Sequence, residues 1–422
     1  PGRSFHVQQE TDADALRIHD EAAGTWREDP EQAVRDDVEK HYWLHVGRTI
    51  LKDWRLYVML VPMLGLLNIS EGATSALSIF TEHLQKFPYE AQVIVLIAGY
   101  FLDYSRLSRH AGKIYIGTLV VSLVVEPLSP VVNGVPYYAR FITLIFPVVY
   151  ALWLYSCRNK GWRGIAMAIL GGVPLALYCY YVPYTLGLIT HLLSGFVLVL
   201  IAAWNDWFGV GRWKGMFPPL ACAGAMTGIF AYGIMALGWS SHRLSVAFHP
   251  EGDPLGRGYY ALMIREALGH SQWMGEGTWD TERFLAPYER IVPGCESDAF
   301  LTTIIYKLGW APFLLIIFVF AVLMFWLLLK CTKQKSQLGR LIVIAVVMSL
   351  SVQAMVSVVW NMGFTLLSAS FPLIIGNLNT VLNMGLIGLA LSVFRGDSIA
   401  RNSENSKKER QRIRIRLVVE RV

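Results

Sequence analysis

Charge is scarce in this sequence. Lys, Arg, Asp and Glu make up 16% of the 422 residues, where a water-soluble domain carries roughly 25%. Hydrophobic residues reach 54% and the mean hydropathy is +0.42. A soluble metabolic enzyme is excluded on that balance, and a membrane class is indicated. Cysteine is also scarce. Its five copies (Cys157, Cys179, Cys222, Cys295 and Cys331) show no CxxC spacing, and four lie in or beside apolar runs. That excludes a zinc-ligand pattern and a disulfide framework. The first fifty residues hold no long apolar stretch, so no cleavable leader is expected among them.

What the sequence has instead is a succession of apolar runs. Crossing about 30 Å of hydrocarbon at 1.5 Å per residue takes roughly 20 apolar residues. Such runs fall at 55–74, 89–104, 112–128, 137–157, 163–182, 184–204, 217–238, 301–330, 338–363 and 370–394. The expected fold class is an all-α polytopic membrane protein of about ten transmembrane helices. Val182-Pro183-Tyr184 divides the fifth run from the sixth, because proline removes a helix donor there.

Cations orient these runs. Alternate connections carry Arg106, Arg109 and Lys113; Arg158, Lys160 and Arg163; Arg212 and Lys214; and Lys330, Lys333, Lys335 and Arg340. The opposite connections near 75–88, 129–136, 182–184 and 364–369 carry one cation, Lys86. The positive-inside bias places both termini in the cytoplasm and the large loop 239–300, between helices 7 and 8, outside. The expected organisation is a partly helical cytoplasmic extension over 1–54, a transmembrane domain over 55–395 and a basic cytoplasmic tail over 396–422. Asp29-Pro30-Glu31 reads as a helix start. The tail, with Lys407, Lys408, Arg412, Arg414 and Arg416, reads as a contact for anionic headgroups rather than nucleic acid.

The large loop gathers the unusual chemistry. It holds Arg243, Asp253 and Arg257 among many charges, with Pro250, Pro254, Pro287 and Pro293 interspersed. Asp298 directly precedes a long apolar run. One reading is a helix N-cap by Ser297 or Asp298. The other is a general base at a lipid-facing cleft. Spacing does not choose between them. Within the runs, Gln353, Asn361, Asn377, Asn379 and Asn383 suit hydrogen bonding between helices.

Several short motifs follow one another along the chain. Asp103-Tyr104-Ser105-Arg106-Leu107 is similar to D-Y-R-R-L, Asn133-Gly134 to N-G-x-x-R-W, and Pro183-Tyr184-Thr185-Leu186-Gly187 to Q-P-D-L-G-T. Pro250-Glu251-Gly252-Asp253-Pro254-Leu255-Gly256-Arg257-Gly258-Tyr259 resembles P-x-x-D-P-x-G-x-G-Y. Gly269 to Gly277 has the length and end glycines of G-S-G-G-L-x-G-K-G, and Pro293-Gly294-Cys295-Glu296-Ser297-Asp298-Ala299-Phe300 resembles P-E-x-H-T-D-F-I-F. Together these motifs resemble the SEDS family, the FtsW/RodA/SpoVE polymerases of bacterial cell-wall synthesis; Gln353, Asn361 and Gly363 fall on family positions, and Pro372 opens the equivalent of P-F-I-S-Y-G-G.

The resemblance implies a peptidoglycan glycosyltransferase of the bacterial cytoplasmic membrane that polymerises lipid II, serving elongation, division or sporulation. It places the catalytic aspartate on Asp298. A class B penicillin-binding transpeptidase and membrane lipids are the implied partners, with no nucleic acid. Arg243, Arg257 and Arg140 are the candidate cations for a diphosphate, and Asp253, Gln353 and Asn361 further substrate-binding candidates. No metal ligands are assigned; a divalent cation such as magnesium is compatible with the chemistry, but no ligand pattern indicates one. The departures are specific. Tyr137 stands for an arginine, and Phe146-Pro147-Val148-Val149-Tyr150-Ala151-Leu152 stands where the family has Q-P-S-E-x-x-K. Glu276 replaces a lysine, and Tyr306-Lys307-Leu308-Gly309 stands for E-E-L-G. Two alternatives therefore stay open: a catalytically degraded scaffold for a transpeptidase, and a transporter of the lipid-linked precursor.

Overall fold

The computed structural model describes residues 5–8, 17–20, 25–28, 89–132, 135–182, 184–237, 241–278, 298–334, 336–373 and 378–396. The chain divides into two compact units, Pro1–Val58 with Phe394–Val422, and Met59–Val393. In the first, β1 (Phe5–Gln8), β2 (Arg17–Asp20) and β3 (Thr25–Glu28) form an antiparallel sheet with Phe5 opposite Asp20 and Arg17 opposite Glu28. The described part of the N-terminal extension is thus extended. The helix expected from Asp29, the run at 55–74 and the basic tail lie outside the described residues.

The second unit is helical. Its elements are α1 (Tyr89–Phe101), α2 (Tyr104–Arg109), α3 (Ala111–Leu128), α4 (Tyr137–Ile142), α5 (Phe146–Ser156), α6 (Gly161–Tyr181) and α7 (Thr185–Trp204). They continue with α8 (Arg212–Leu237), α9 (Ser241–Phe248), α10 (Tyr259–Gly269), α11 (Phe300–Leu308), α12 (Trp310–Thr332) and α13 (Gln337–Asn361). The last is α14, Leu378–Gly396, of which the residues to Val393 belong to this unit. A two-residue ribbon, β4 (Val131–Val132) with β5 (Val135–Pro136), turns the chain into α4.

Among the described residues, seven helices are long and apolar enough to cross a membrane: α3, α4 with α5, α6, α7, α12, α13 and α14. The protein is a multi-pass helical membrane protein. α13 is its central column, packing on α5, α7, α11 and α12. α5 is correspondingly apolar, with all of 146–152 buried. α3 lies at the other extreme, with only 17% of its span buried among the described residues. Short turns join α5 to α6, α6 to α7 and α12 to α13, which makes these neighbours antiparallel.

The run at 301–330 is not one helix. α11 ends at Gly309 (φ +103), and α12 starts at Trp310. Every residue from 300 to 306 is buried, so α11 lies inside the protein and only α12 spans. The run at 370–394 is also divided, irregular over 364–373 and helical only from 378. An added Cβ on Gly309 would stand 2.5 Å from the Trp273 carbonyl oxygen and 2.7 Å from Met274 Cα. Its backbone conformation is one that side chains avoid at about 1–3 kcal/mol. Gly309→Ala is therefore expected to lower the thermal unfolding midpoint in detergent by several degrees. Gly224→Ala on α8, where an added Cβ meets nothing within 4 Å, should not lower it.

Candidate functional site

Asp298 sits in the turn that leads into α11, at the same end of the bundle as the starts of α4 and α7 and the end of α13. An N-cap carboxylate would accept from amides of the first helical turn. Here it does not: the cap position is Ala299, and α11 has no side-chain cap hydrogen bond of its own. Asn361, at the end of α13, does that work from across the fold. The Thr302 N–H, whose partner four residues back would be the Asp298 carbonyl, donates instead to Asn361 Oδ1 at 2.8 Å. Asn361 Nδ2 donates to that Asp298 carbonyl, also at 2.8 Å. A carboxamide is thus spliced into the first turn of α11. Thr302 Oγ1 donates to Asn361 Oδ1 (2.8 Å), and Asn361 Nδ2 also donates to Ser357 O (2.8 Å), so the buried amide is fully used.

The Asp298 carboxylate is bound outside the helix. Its Oδ1 accepts from Ser370 Oγ at 2.9 Å, and Asp298 has no ion pair among the described residues. Ser370 belongs to the irregular segment 364–373, which is itself tied down. Asn383 Nδ2 on α14 donates to the Pro372 carbonyl at 3.0 Å and to Gln353 Oε1 at 3.0 Å. Gln353 Nε2 in turn donates to Ser349 O at 3.1 Å. Gln353 is fully buried about 12 Å along α13 from Asn361, by the rise of a helix. The structure therefore gives it a role in holding helices together rather than lining the site.

Arg140 and Tyr184 complete the group. Burial raises the Tyr184 hydroxyl above the ordinary tyrosine range; the Arg140 charge pulls it back and the Asp298 charge pushes it further. Both charges thus lie within electrostatic reach of one phenol. The Arg140 guanidinium stacks on Tyr137 (4.5 Å) and Phe141 (4.7 Å). Its buried Nε has no hydrogen-bond partner among the described residues. Tyr184 packs against the buried cluster of Leu186, Val352, Val356 and Ala369. Cation and carboxylate thus both act on the Tyr184 phenol.

The other expected residues fall elsewhere. The Asp253 carboxylate accepts from the Arg257 amide at 3.0 Å, and a Cβ on Gly256 would meet it at 2.4 Å. It is a turn-former within 253–258, and the Arg257 side chain is exposed. Arg243 Nη2 donates to Leu366 O at 3.4 Å, bracing the segment that carries Ser370. Ser370, Thr302 and Tyr184 are site residues that sequence reasoning did not single out. Among the described residues no group of three His, Cys, Asp or Glu could hold a metal ion. Pro293 to Ser297 lie outside the described residues.

A multi-pass helical bundle with a carboxylate, a cation and a phenol gathered at one end is the class of protein these features define. Its particular fold is that of solved proteins of bacterial wall assembly. One is a chain from a peptidoglycan synthase complex that coordinates polymerisation and crosslinking, with a TM-score of 0.62 at 15% identity, over 82% of this chain and 98% of that one. Another is the rod-shape-determining protein RodA of Thermus thermophilus, with a TM-score of 0.51 at 16% identity, over 82% and 97% of the two chains. No protein-family model matches the sequence, and no curated protein matches it significantly.

Proposed function

We propose that this protein is a SEDS-like peptidoglycan glycosyltransferase, polymerising lipid II at the outer face of the bacterial cytoplasmic membrane. The observation that carries this reading is the Asp298 carboxylate, released from capping duty by Asn361 and held by Ser370 at the bundle end opposite the cationic turns. The cationic turns face the cytoplasm by the positive-inside bias, so the site faces outward. In the reaction, Asp298 takes the proton of the acceptor sugar hydroxyl as that oxygen bonds to the anomeric carbon of the donor. The bond from that carbon to the diphosphate breaks, and the lipid diphosphate leaves with the electron pair. Arg140, with an unused buried donor, is the counter-charge for the leaving group. Magnesium dependence is tested by adding a chelator to the polymerisation reaction. The fold it shares with a chain of a synthase complex supports a class B penicillin-binding transpeptidase as partner.

One observation favours a scaffold. Buried apolar side chains fill 146–152, where the resemblance has a Glu and a Lys. Glycan synthesis from purified lipid II separates the two readings. Arg140→Gln is expected to lower kcat/KM for lipid II by about 10- to 100-fold, the loss of one charged hydrogen bond. Arg140→Lys, which keeps the charge without the fork, should recover part of it. A rate untouched by Arg140→Gln would remove Arg140 from the mechanism.

A further inference from the structure

Trp273 and Met274 are large apolar side chains in the loop between α10 and α11, and they are 72% and 73% exposed. Their backbone is bound to the start of a membrane span. The first amides of a helix have no acceptor within it. At the start of α12, the Trp310 N–H donates to the Gln272 carbonyl and the Ala311 N–H to the Trp273 carbonyl, both at 3.1 Å. The next residue, Pro312, has no N–H to satisfy. From the other side, the Gly275 N–H donates to Leu308 O (3.0 Å) and the Gly277 N–H to Tyr306 O (2.7 Å). The segment is therefore stitched to the junction of α11 and α12, and Gly309 leaves room for it.

That junction fixes its depth. α12 exposes Leu314, Leu315 and Phe318 within its first turns, and on a span these face hydrocarbon. Residues bonded to the first two amides of α12 then lie where the span leaves the acyl region. Residues 271–275 contain no Lys, Arg, Asp or Glu. Tryptophan favours this boundary, and an unbranched methionine adapts to it.

We propose that Trp273 and Met274 are a membrane-interface anchor, inserted at the headgroup–acyl boundary beside α12. The anchor holds one end of α11 at a set depth, and Asp298 lies at the other end. It depends on the membrane span alone and not on the glycosyltransferase reading.

The test uses the full chain with Cys222→Ser and Cys295→Ser; the remaining Cys157, Cys179 and Cys331 are buried. Met274→Cys, and Glu251→Cys as a polar control between α9 and α10, are labelled with an environment-sensitive fluorophore. Both are placed in phosphatidylethanolamine–phosphatidylglycerol nanodiscs. The label at 274 is expected to emit further to the blue. Nitroxide lipids should quench it at least about threefold more than the control, and aqueous iodide less. Equal iodide quenching at the two positions, without lipid quenching, would overturn the anchor. So would shielding at 274 that develops only when a second protein is added, since the face would then belong to a protein partner.

Discussion

Asp298→Asn is expected to abolish glycan polymerisation, with a loss of at least about 100-fold, the usual contribution of a general base. The substitution is nearly isosteric. Its amide oxygen can still accept from Ser370, and the hold of Asn361 is on the Asp298 main-chain carbonyl, which does not change. The variant should therefore unfold at the wild-type temperature while losing the carboxylate proposed to take the proton. The measurement is glycan chain formation from purified lipid II by detergent-solubilised wild type and variant. It is run with magnesium, with a chelator, and with and without a cognate class B transpeptidase. Polymer from the wild type alone would establish Asp298 as the base. Equal polymer from both would remove Asp298 from the chemistry. No polymer from folded wild type under any condition would leave the scaffold as the function, and the apolar filling of 146–152 as its structural sign.

The spanning architecture was legible because the bilayer imposes simple requirements. Apolar length and cation alternation picked out the runs that became α3, α6, α7 and α13. The break at Gly309 was less legible, since glycine is hydropathically neutral and 301–330 reads as one apolar stretch. The local signals were present: a glycine ending one helix, and Pro312 in the first turn of the next. For Asp298, spacing left cap and base unresolved, because the deciding partner lies 63 residues away. Which side chain fills the capping role is a property of tertiary packing. The turn made by Asp253 went unread for the opposite reason. Its partner is four residues away, in a Pro- and Gly-containing stretch that forms its own turn. Ser370 carried no sequence signal, as a single hydroxyl in an irregular segment.

Asn361→Leu is expected to reduce polymerisation almost as far as Asp298→Asn, through the position of the carboxylate. The carboxamide separates the Thr302 N–H from the Asp298 carbonyl. Without it, the turn can close on itself, with Thr302 bonding Asp298 directly. That recovers part of the lost hydrogen bonding, so the stability loss should be about 1–3 kcal/mol, for the buried polar groups left unsatisfied. Closing the turn draws Asp298 toward the helix and away from Ser370, and a shift of about 1 Å at a reacting group can cost about 100-fold. Asn361→Asp distinguishes position from simple destabilisation. It keeps the acceptor for Thr302 and loses the donor to Asp298, so its rate should fall between the two even where its melting temperature matches that of Asn361→Leu. Rates that simply track melting temperature across both variants would show that Asn361 supports the fold and does not place the carboxylate. A rate that collapses while the fold holds would identify the spliced turn as what sets Asp298 in position.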